Sequence, residues 1–340
     1  MVNNLGHKSI KRIFKRSLEE LSATYKIAKQ TSISEAINTF RAKIDIQVMN
    51  RNGYKETDKI KERLIKKHST MLNYIEKEYK EFLEKYDFEN VRLEERKEEY
   101  LNKVWICWWQ GVENAPEIVK ACINSIINHT KEHEIIVITD ENVNEYVQFP
   151  DWLEEKRRKG IISRTHYSDL LRLEILARYG GVWLDSTFFC SGGNIDDYFI
   201  YPLWSIKRPE YFHASVASGY FANYSLGCTF ENRRVYAVIR DFLMYYWQNN
   251  DEIIDYLLTD YLIVLAQKYD RQIDRLFKEI PNNNPNCDEL FKILQEPYNE
   301  EKWNEIKKDT YLFKLTWKQS YLNEKNNEKT FYGKIIEDLD

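Results

Sequence analysis

Over residues 1 to about 100, apolar positions recur at helical spacing among long Lys/Glu runs, and Gly and Pro are scarce. YIEKEYKEFLEKYDFENVRLEERKEEYLNK is typical, with Glu and Lys three or four apart as in exposed helices. The pattern predicts an accessory helical region without site chemistry of its own. At its start, Ile10, Ile13, Phe14, Leu18 and Leu21 keep helical spacing among Lys8, Lys11, Arg12, Lys15 and Arg16, with no acid until Glu19. Such a basic amphipathic helix suits either peripheral contact with an anionic membrane or packing on its own domain.

The pattern changes at Lys103. KVWICWW is a short apolar run of strand formers. QGVENAPEIVKACINSIINH then gives a loop and a helix, with Asn114 as the expected cap and Pro116 and Glu117 in the first turn. HEIIVITD is a second strand ending at Asp140. Strand, helix and strand at this spacing form a βαβ unit, so a parallel sheet with crossover helices is expected. Ligands of such sheets bind beyond the carboxyl ends of the strands. Trp108, Trp109 and Gln110 at one end and Asp140 at the other therefore belong to one crevice by topology alone. Further on, DWLEEKRRKG reads as a charged helix. SIKRP and HASVASGYFAN read as strands. NRRVYAVIRDFLMYYWQNN and DEIIDYLLTDYLIVLAQKY are periodic helices, and the region after Ile280 is loop-rich.

Between them lies RTHYSDLLRLEILARYGGVWLDST, residues 164 to 187. Ser163 to Tyr179 read as a mostly apolar helix ended by Gly180 and Gly181. Thr165, Ser168, Asp169 and Arg172 share one face of its first half. They form either a salt-bridged wet stripe or part of a site. VWLDSTFF follows as a strand, whose alternation puts Trp183, Asp185, Thr187 and Phe189 on one face, Asp185 and Thr187 about 7 Å apart. A carboxylate in an apolar strand is costly unless an arginine, a metal or a ligand compensates it. Asp with a nearby hydroxyl suits a hard divalent cation together with phosphate oxygens. Arg172 suits carboxylate, phosphate or sugar hydroxyls. The expected service of the segment is to hold an anionic, polyhydroxylated ligand.

Composition narrows the remaining choices. A net charge of −4 gives no general attraction to nucleic acid, and basic clusters are local. No apolar run approaches the roughly 18 residues that span a bilayer. The five cysteines are odd in number and lack C-x-x-C spacing, which argues against a disulfide framework or zinc site and for a reducing, cytoplasmic setting.

SDLLRLEILARYGGVWLDST resembles the SD..R....L...GG.(W/Y).D.(D/T) core of glycosyltransferase family 32 and its relatives, including capsular polysaccharide synthesis proteins and clostridial glucosylating toxins. WWQGVENAPEIVKACINSI resembles the opening strand and helix of the capsular group. The resemblance covers about 103 to 320. It implies an α/β GT-A (Rossmann-like) nucleotide-sugar-binding domain over 103–320, with a helical extension over 1–100, additional C-terminal helices and a charged tail over 321–340.

It also implies a transferase that moves a sugar from a nucleoside diphosphate, UDP-hexose favoured, to a hydroxyl of a growing glycan, with retention of configuration. The acceptor would be a lipid-linked oligosaccharide at the inner membrane face, and the cofactor Mn²⁺ or Mg²⁺. Carried over by position, Trp109 borders the base with Trp108 and Gln110 beside it, and Asp140 sits near the nucleoside. Ser168, Asp169 and Arg172 bind ribose and donor sugar, and Asp185 is the first acid of D-x-D. Asp169 and Arg172 join it as catalytic residues. Thr187 replaces the second acid, so metal binding would rest on Asp185, Thr187 and Thr316, with Lys314, Trp317 and Lys318 closing over the diphosphate. Asp260, an acid in the apolar helix LLTDYLIV, is either a helix-capping or solvent-facing residue or part of the chemistry. The competing readings are a non-catalytic sugar or nucleotide binder that has lost an acid, and a toxin-like enzyme that glycosylates proteins.

Overall fold

The structure is a computed structural model, described over residues 18–51, 55–93, 96–208 and 213–337. Most of the basic amphipathic stretch, residues 1–17, lies outside the described residues. The helical signal of the N-terminal region forms α1 (18–30), α2 (Ile33–Arg51) and α3 (Asp58–Lys85). Thr57 caps α3 by accepting a hydrogen bond from the Ile60 amide.

The chain then builds a mixed sheet with helices on both faces. β1 (Val104–Cys107), α4 (Glu117–Asn128) and β2 (Ile135–Ile138) form the expected βαβ unit. Pro116, not Asn114, occupies the position before α4. The Asn114 side chain instead donates to the Gln110 carbonyl, because the loop makes a 3₁₀ turn at Val112–Asn114 first. α5 (Val143–Tyr146) and α6 (Asp151–Arg158) lead to α7 (Arg164–Tyr179), which Ser163 caps. β3 (Gly181–Leu184) pairs parallel to β1. β4 (Phe188–Cys190), β5 (Leu203–Ser205) and β6 (Ser225–Cys228) follow, and the sheet order is β2-β1-β3-β6-β5 with β6 antiparallel to both neighbours.

The predicted strand in HASVASGYFAN does not form. Residues 213–220 are turns and bends, and the strand is SLGC, Ser225–Cys228, which starts just past the segment. Ser218 and Gly219 both take positive φ, which a strand cannot accommodate. α8 (Arg234–Asn249), α9 (Leu258–Tyr269) and α10 (Arg271–Glu279) are the periodic helices. Three short helices, α11 (Leu290–Ile293), α12 (Glu300–Ile306) and α13 (Phe331–Ile336), and a strand, β7 (Leu312–Lys314), complete the second layer.

Alternation along the strands explains the two cores. Trp105 and Trp183 point into a layer built from α3, α7, α8 and α9, whereas Val104, Ile106, Val182 and Leu184 point into one built from α4, β4, β7 and α13. Both faces of β1 and β3 are covered, which is why their sequences are continuously apolar. Two segments join these cores that the sequence placed outside them. Ala23, Ile27, Met71 and Tyr79 of the N-terminal helices belong to the first. Phe331, Tyr332, Ile335 and Ile336, expected in a charged tail, are buried in the second. Half of the tail's charged residues lie in the hairpin at 324–329, while its apolar residues Phe331, Tyr332, Ile335 and Ile336 recur at helical spacing just after it.

Gly181 sets the junction between α7 and β3. Its φ is +89°, and a Cβ there would lie 2.3 Å from the Lys103 carbonyl oxygen. That close approach lets Val182 donate to Lys103 and start β3 beside β1.

Candidate active site

β3 stops one residue before Asp185. The Asp185 amide donates to the Tyr224 carbonyl, and the Phe188 amide donates back to the Asp185 carbonyl, closing a turn. β4 then leaves the main sheet and pairs with β7. The single strand predicted for VWLDSTFF is therefore two strands in two sheets, and the alternation that would align Thr187 with Asp185 is broken. Thr187 is buried, and its carbonyl accepts from the Leu315 amide.

The β4–β7 register, Phe188 opposite Lys314, carries Lys314 to Asp185. Its Nζ lies 2.8 Å from Asp185 Oδ2. The other oxygen, Oδ1, accepts from the Trp183 indole at 3.1 Å and lies 3.5 Å from Arg172 Nη2. Burial alone would raise the Asp185 pKa, but the combined field of Lys314 and Arg172 outweighs it and holds the carboxyl below its ordinary value. The side chain keeps 30% of its surface exposed, so this neutralised acid faces solvent.

One turn of α7 supplies the next layer. Arg172 Nη2 lies 3.2 Å from Asp169 Oδ1, and Nη1 donates to the Asn223 carbonyl. Asn223 Nδ2 and His166 Nδ1 each lie 3.4 Å from Asp169. Arg172 also sits over the Trp183 ring, 5.5 Å from its centre. Arg172 Nε and Asn223 Oδ1 are buried yet have no hydrogen-bond partner. Unsatisfied buried donors and acceptors are costly and call for an explanation, and an absent polar ligand is one. Asp260, in the first turn of α9, belongs to the same group. Burial and the neighbouring Asp169 raise its pKa to about 7, against the opposing pull of Arg172. Tyr256, whose ring lies 5.7 Å from His166, is raised to about 12 by burial and by Asp169 and Asp185.

The ends of β1 and β2 form the other wall. The Trp109 indole donates to Ser168 Oγ at 3.0 Å, and the Asp140 amide donates to the Trp109 carbonyl. Asp140 pairs with Arg164 at 2.8 Å, and Arg164 lies 6.0 Å from the Trp109 ring centre. Trp108 meets the half-exposed Trp317 edge to face at 5.6 Å. Cys107 lies between the walls. Burial raises its thiol pKa, with Asp185 and Asp140 both adding to the effect.

Of the expected residues, Asp169, Arg172, Asp185 and Lys314 are joined in one run of contacts, Trp109 contacts Ser168 and Asp140, and Trp108 contacts Trp317. Gln110 is exposed, and its carbonyl accepts from Asn114. Lys318 is exposed too, its amide donating to Thr316 Oγ1 while the Thr316 carbonyl accepts from Tyr321. Nothing joins Thr316 to Asp185. Sequence reasoning missed Arg164, His166, Asn223 and Tyr256. Arg164 was legible as the first residue of α7, but Asn223 reaches the site through a turn whose place no local pattern announces.

Among the described residues, no group of three or more His, Cys, Asp and Glu side chains could hold a metal ion, and no helix is long and apolar enough to cross a membrane. A family model described as capsular polysaccharide synthesis protein matches residues 51–335.

The chain belongs to the capsular polysaccharide synthesis protein family.

No curated protein and no solved structure matches it. The family match takes in α3 and α13 along with the sheet. In this capsular polysaccharide synthesis protein both ends of the matched region are therefore parts of the packed fold. Membership ties the chain to capsule biosynthesis, and the crevice at the strand ends is where its chemistry has to be sought.

Proposed function

We propose that the protein is a retaining glycosyltransferase of GT-A type, related to glycosyltransferase family 32. It would transfer a hexose from a nucleoside diphosphate, UDP favoured, to a hydroxyl of a lipid-linked capsular repeat unit. The observation that carries this reading is the pairing of Asp185 with Lys314 and Arg172 at a strand end, where the Trp183 indole also donates to Asp185. Trp109 borders the base, and Asp140 lies near the nucleoside. Ser168, Asp169 and Arg172 hold ribose and donor sugar.

The resemblance implies a divalent ion. Asp185 is one carboxylate, both of its oxygens are engaged, and Thr187 is out of register with it. This donor set does not fit a metal held by protein alone. Cationic side chains supply the electrostatic demand instead. The bond from the anomeric carbon to the phosphate oxygen breaks, and Lys314 and Arg172 stabilise the negative charge gathering on the departing diphosphate. The acceptor hydroxyl attacks from the same face, and its proton passes to the departing phosphate oxygen.

The test is hydrolysis and binding of a panel of UDP- and GDP-sugars, with Mn²⁺ or with EDTA, by the natural protein and Asp185→Ala. One sugar turned over and lost in the variant supports the transferase. Activity that survives EDTA supports stabilisation by the cationic side chains, and activity abolished by EDTA would mean that the metal arrives with the diphosphate. Saturable binding of a donor with no turnover, even with acceptor, would favour a binder.

A further inference from the structure

Asn223 and Tyr224 are the central residues of a tight turn, Ala222–Ser225, closed by the Ser225 amide donating to the Ala222 carbonyl at 2.9 Å. The turn is pinned from behind. The Ser205 hydroxyl accepts from the Ala222 amide at 2.8 Å and donates to the Ala222 carbonyl at 3.2 Å. Ser225 Oγ accepts from the Ile206 amide at 3.2 Å. Both serines are fully buried, so β5 and β6 hold the turn at its two ends. From this support the two central residues touch all four charged groups of the site. The Asn223 carbonyl accepts from Arg172, and Asn223 Nδ2 lies 3.4 Å from Asp169. The Tyr224 carbonyl accepts from the Asp185 amide at 3.1 Å, and the centre of the Tyr224 ring lies 4.9 Å from Lys314 Nζ.

Lys314 needs such a support. Its ammonium ends a flexible four-carbon stem, and an ion pair open to solvent holds a lysine weakly. The pair with Asp185 is open in this sense, its two side chains being 20% and 30% exposed. Two ring faces add what the pair lacks. Nζ lies 5.1 Å from the centre of the Phe188 ring as well as 4.9 Å from that of Tyr224, and the two ring centres are 5.8 Å apart. Both rings are within the roughly 6 Å over which a cation is drawn to a ring face. The Tyr224 ring is itself tied at its far end. Its hydroxyl accepts from Arg208 Nη2, and Arg208 pairs with Asp288, both of them buried. A buried ion pair thus fixes the phenol, and the phenol's ring backs the ammonium that meets Asp185.

We propose that Tyr224 is a positioning residue whose ring, carried on the pinned turn and anchored by Arg208, fixes the Lys314 ammonium beside Asp185. That Lys314 there meets a departing diphosphate rests on the transferase reading; that Tyr224 sets its place does not. The test compares Tyr224→Phe, which keeps the ring and loses the hydroxyl, with Tyr224→Leu, which loses the ring face. The first readout is the titration of the Asp185 carboxyl by carbon-13 NMR, its signal assigned by its loss in Asp185→Asn. Against the opposing effect of burial, Lys314 holds this carboxyl below its ordinary value, so a displaced ammonium lets the midpoint rise. It is expected to rise in Tyr224→Leu, toward its value in Lys314→Ala, and to stay in place in Tyr224→Phe. The second readout is donor turnover. In Tyr224→Leu kcat is expected to fall about 10- to 100-fold, more than KM changes, because a misplaced charge-stabilising group costs rate. Tyr224→Phe is expected to restore most of it.

Should Tyr224→Leu unfold, Tyr224→Met fills more of the volume without a ring and gives the same reading. Two results would overturn the proposal: a folded Leu or Met variant that keeps the natural Asp185 midpoint, or a Phe variant that shifts it as far as they do. If the natural protein turns over no donor, the transferase reading fails, and the Asp185 titration by itself still decides the part played by Tyr224.

Discussion

Two clusters of buried charge flank the first core, and they differ in what is left over. In one, Lys67 of α3 and Asp255 before α9 are both almost fully buried, with Lys67 Nζ 2.9 Å and 3.1 Å from the two Asp255 oxygens. Tyr261 accepts from Lys67 at 3.1 Å and also meets His68, whose other nitrogen meets the His213 carbonyl. This network is sealed from solvent, although Asp255 Oδ2 is held by ion pairs alone. In the other, Asp185, Arg172 and Asp169 also lie close together, but the Asp185 side chain keeps 30% of its surface exposed. A network sealed from solvent specifies how α3 docks on α9. One whose acid opens to solvent has room for a ligand.

The contrast can be broken by mutation. Lys67→Ala should leave Asp255 buried without its closest cation and cost about 3–5 kcal/mol, read as a fall in denaturation midpoint. A loss below 1 kcal/mol would show that the two clusters do not differ in kind. Lys314→Ala should act the other way round. Turnover should fall about 10²- to 10³-fold, the range for removing one preorganised charge-stabilising donor, while the Tm changes little. A large drop in Tm with kcat retained would turn the Asp185 pair into a structural one.

Asp260 sharpens the comparison through pH. Its folded pKa of about 7 lies above the ordinary 3.8, so the fold favours its neutral form. That contribution is present below pH 3.8 and is lost as pH rises through 7. Asp260→Asn should therefore raise stability at pH 8 by about 1–2 kcal/mol, after allowing for partial exposure, and leave it unchanged at pH 4. An equal gain at both pH values would rule out the shift. The sealed cluster has the opposite sign. Burial lowers His68 from 6.5 to about 4, so stability should decline as pH falls between those values, and His68→Gln should flatten the decline. The smallest effect belongs to the crevice rim. Trp317→Ala removes an edge-to-face contact with Trp108 worth about 0.5–1.5 kcal/mol and should raise the donor Kd by up to about tenfold. A Kd unmoved by the substitution would place Trp317 outside the donor site.

Much of this was legible in the chain. The βαβ unit, the helix α7, the glycine break and the nearness of Trp109 to Ser168 and Asp140 follow from local patterns. Those patterns arise from interactions a few residues apart: helix capping, 3.6-residue and two-residue periodicity, and the positive φ of Gly180 and Gly181. Three things were not legible. VWLDSTFF has the alternation of one strand, but its second half finds a better partner in β7, more than 120 residues away. Lys314 meets Asp185 only because that distant register brings it there. The outward face of α2 cannot be read from its sequence either, since both of its faces are largely apolar and only packing against α3 decides which one is covered. Local sequence determined the elements and the residue types of the site. Tertiary structure decided which charges meet and which apolar face stays open, because the first depends on pairing between segments far apart in the chain and the second on how two neighbouring helices dock.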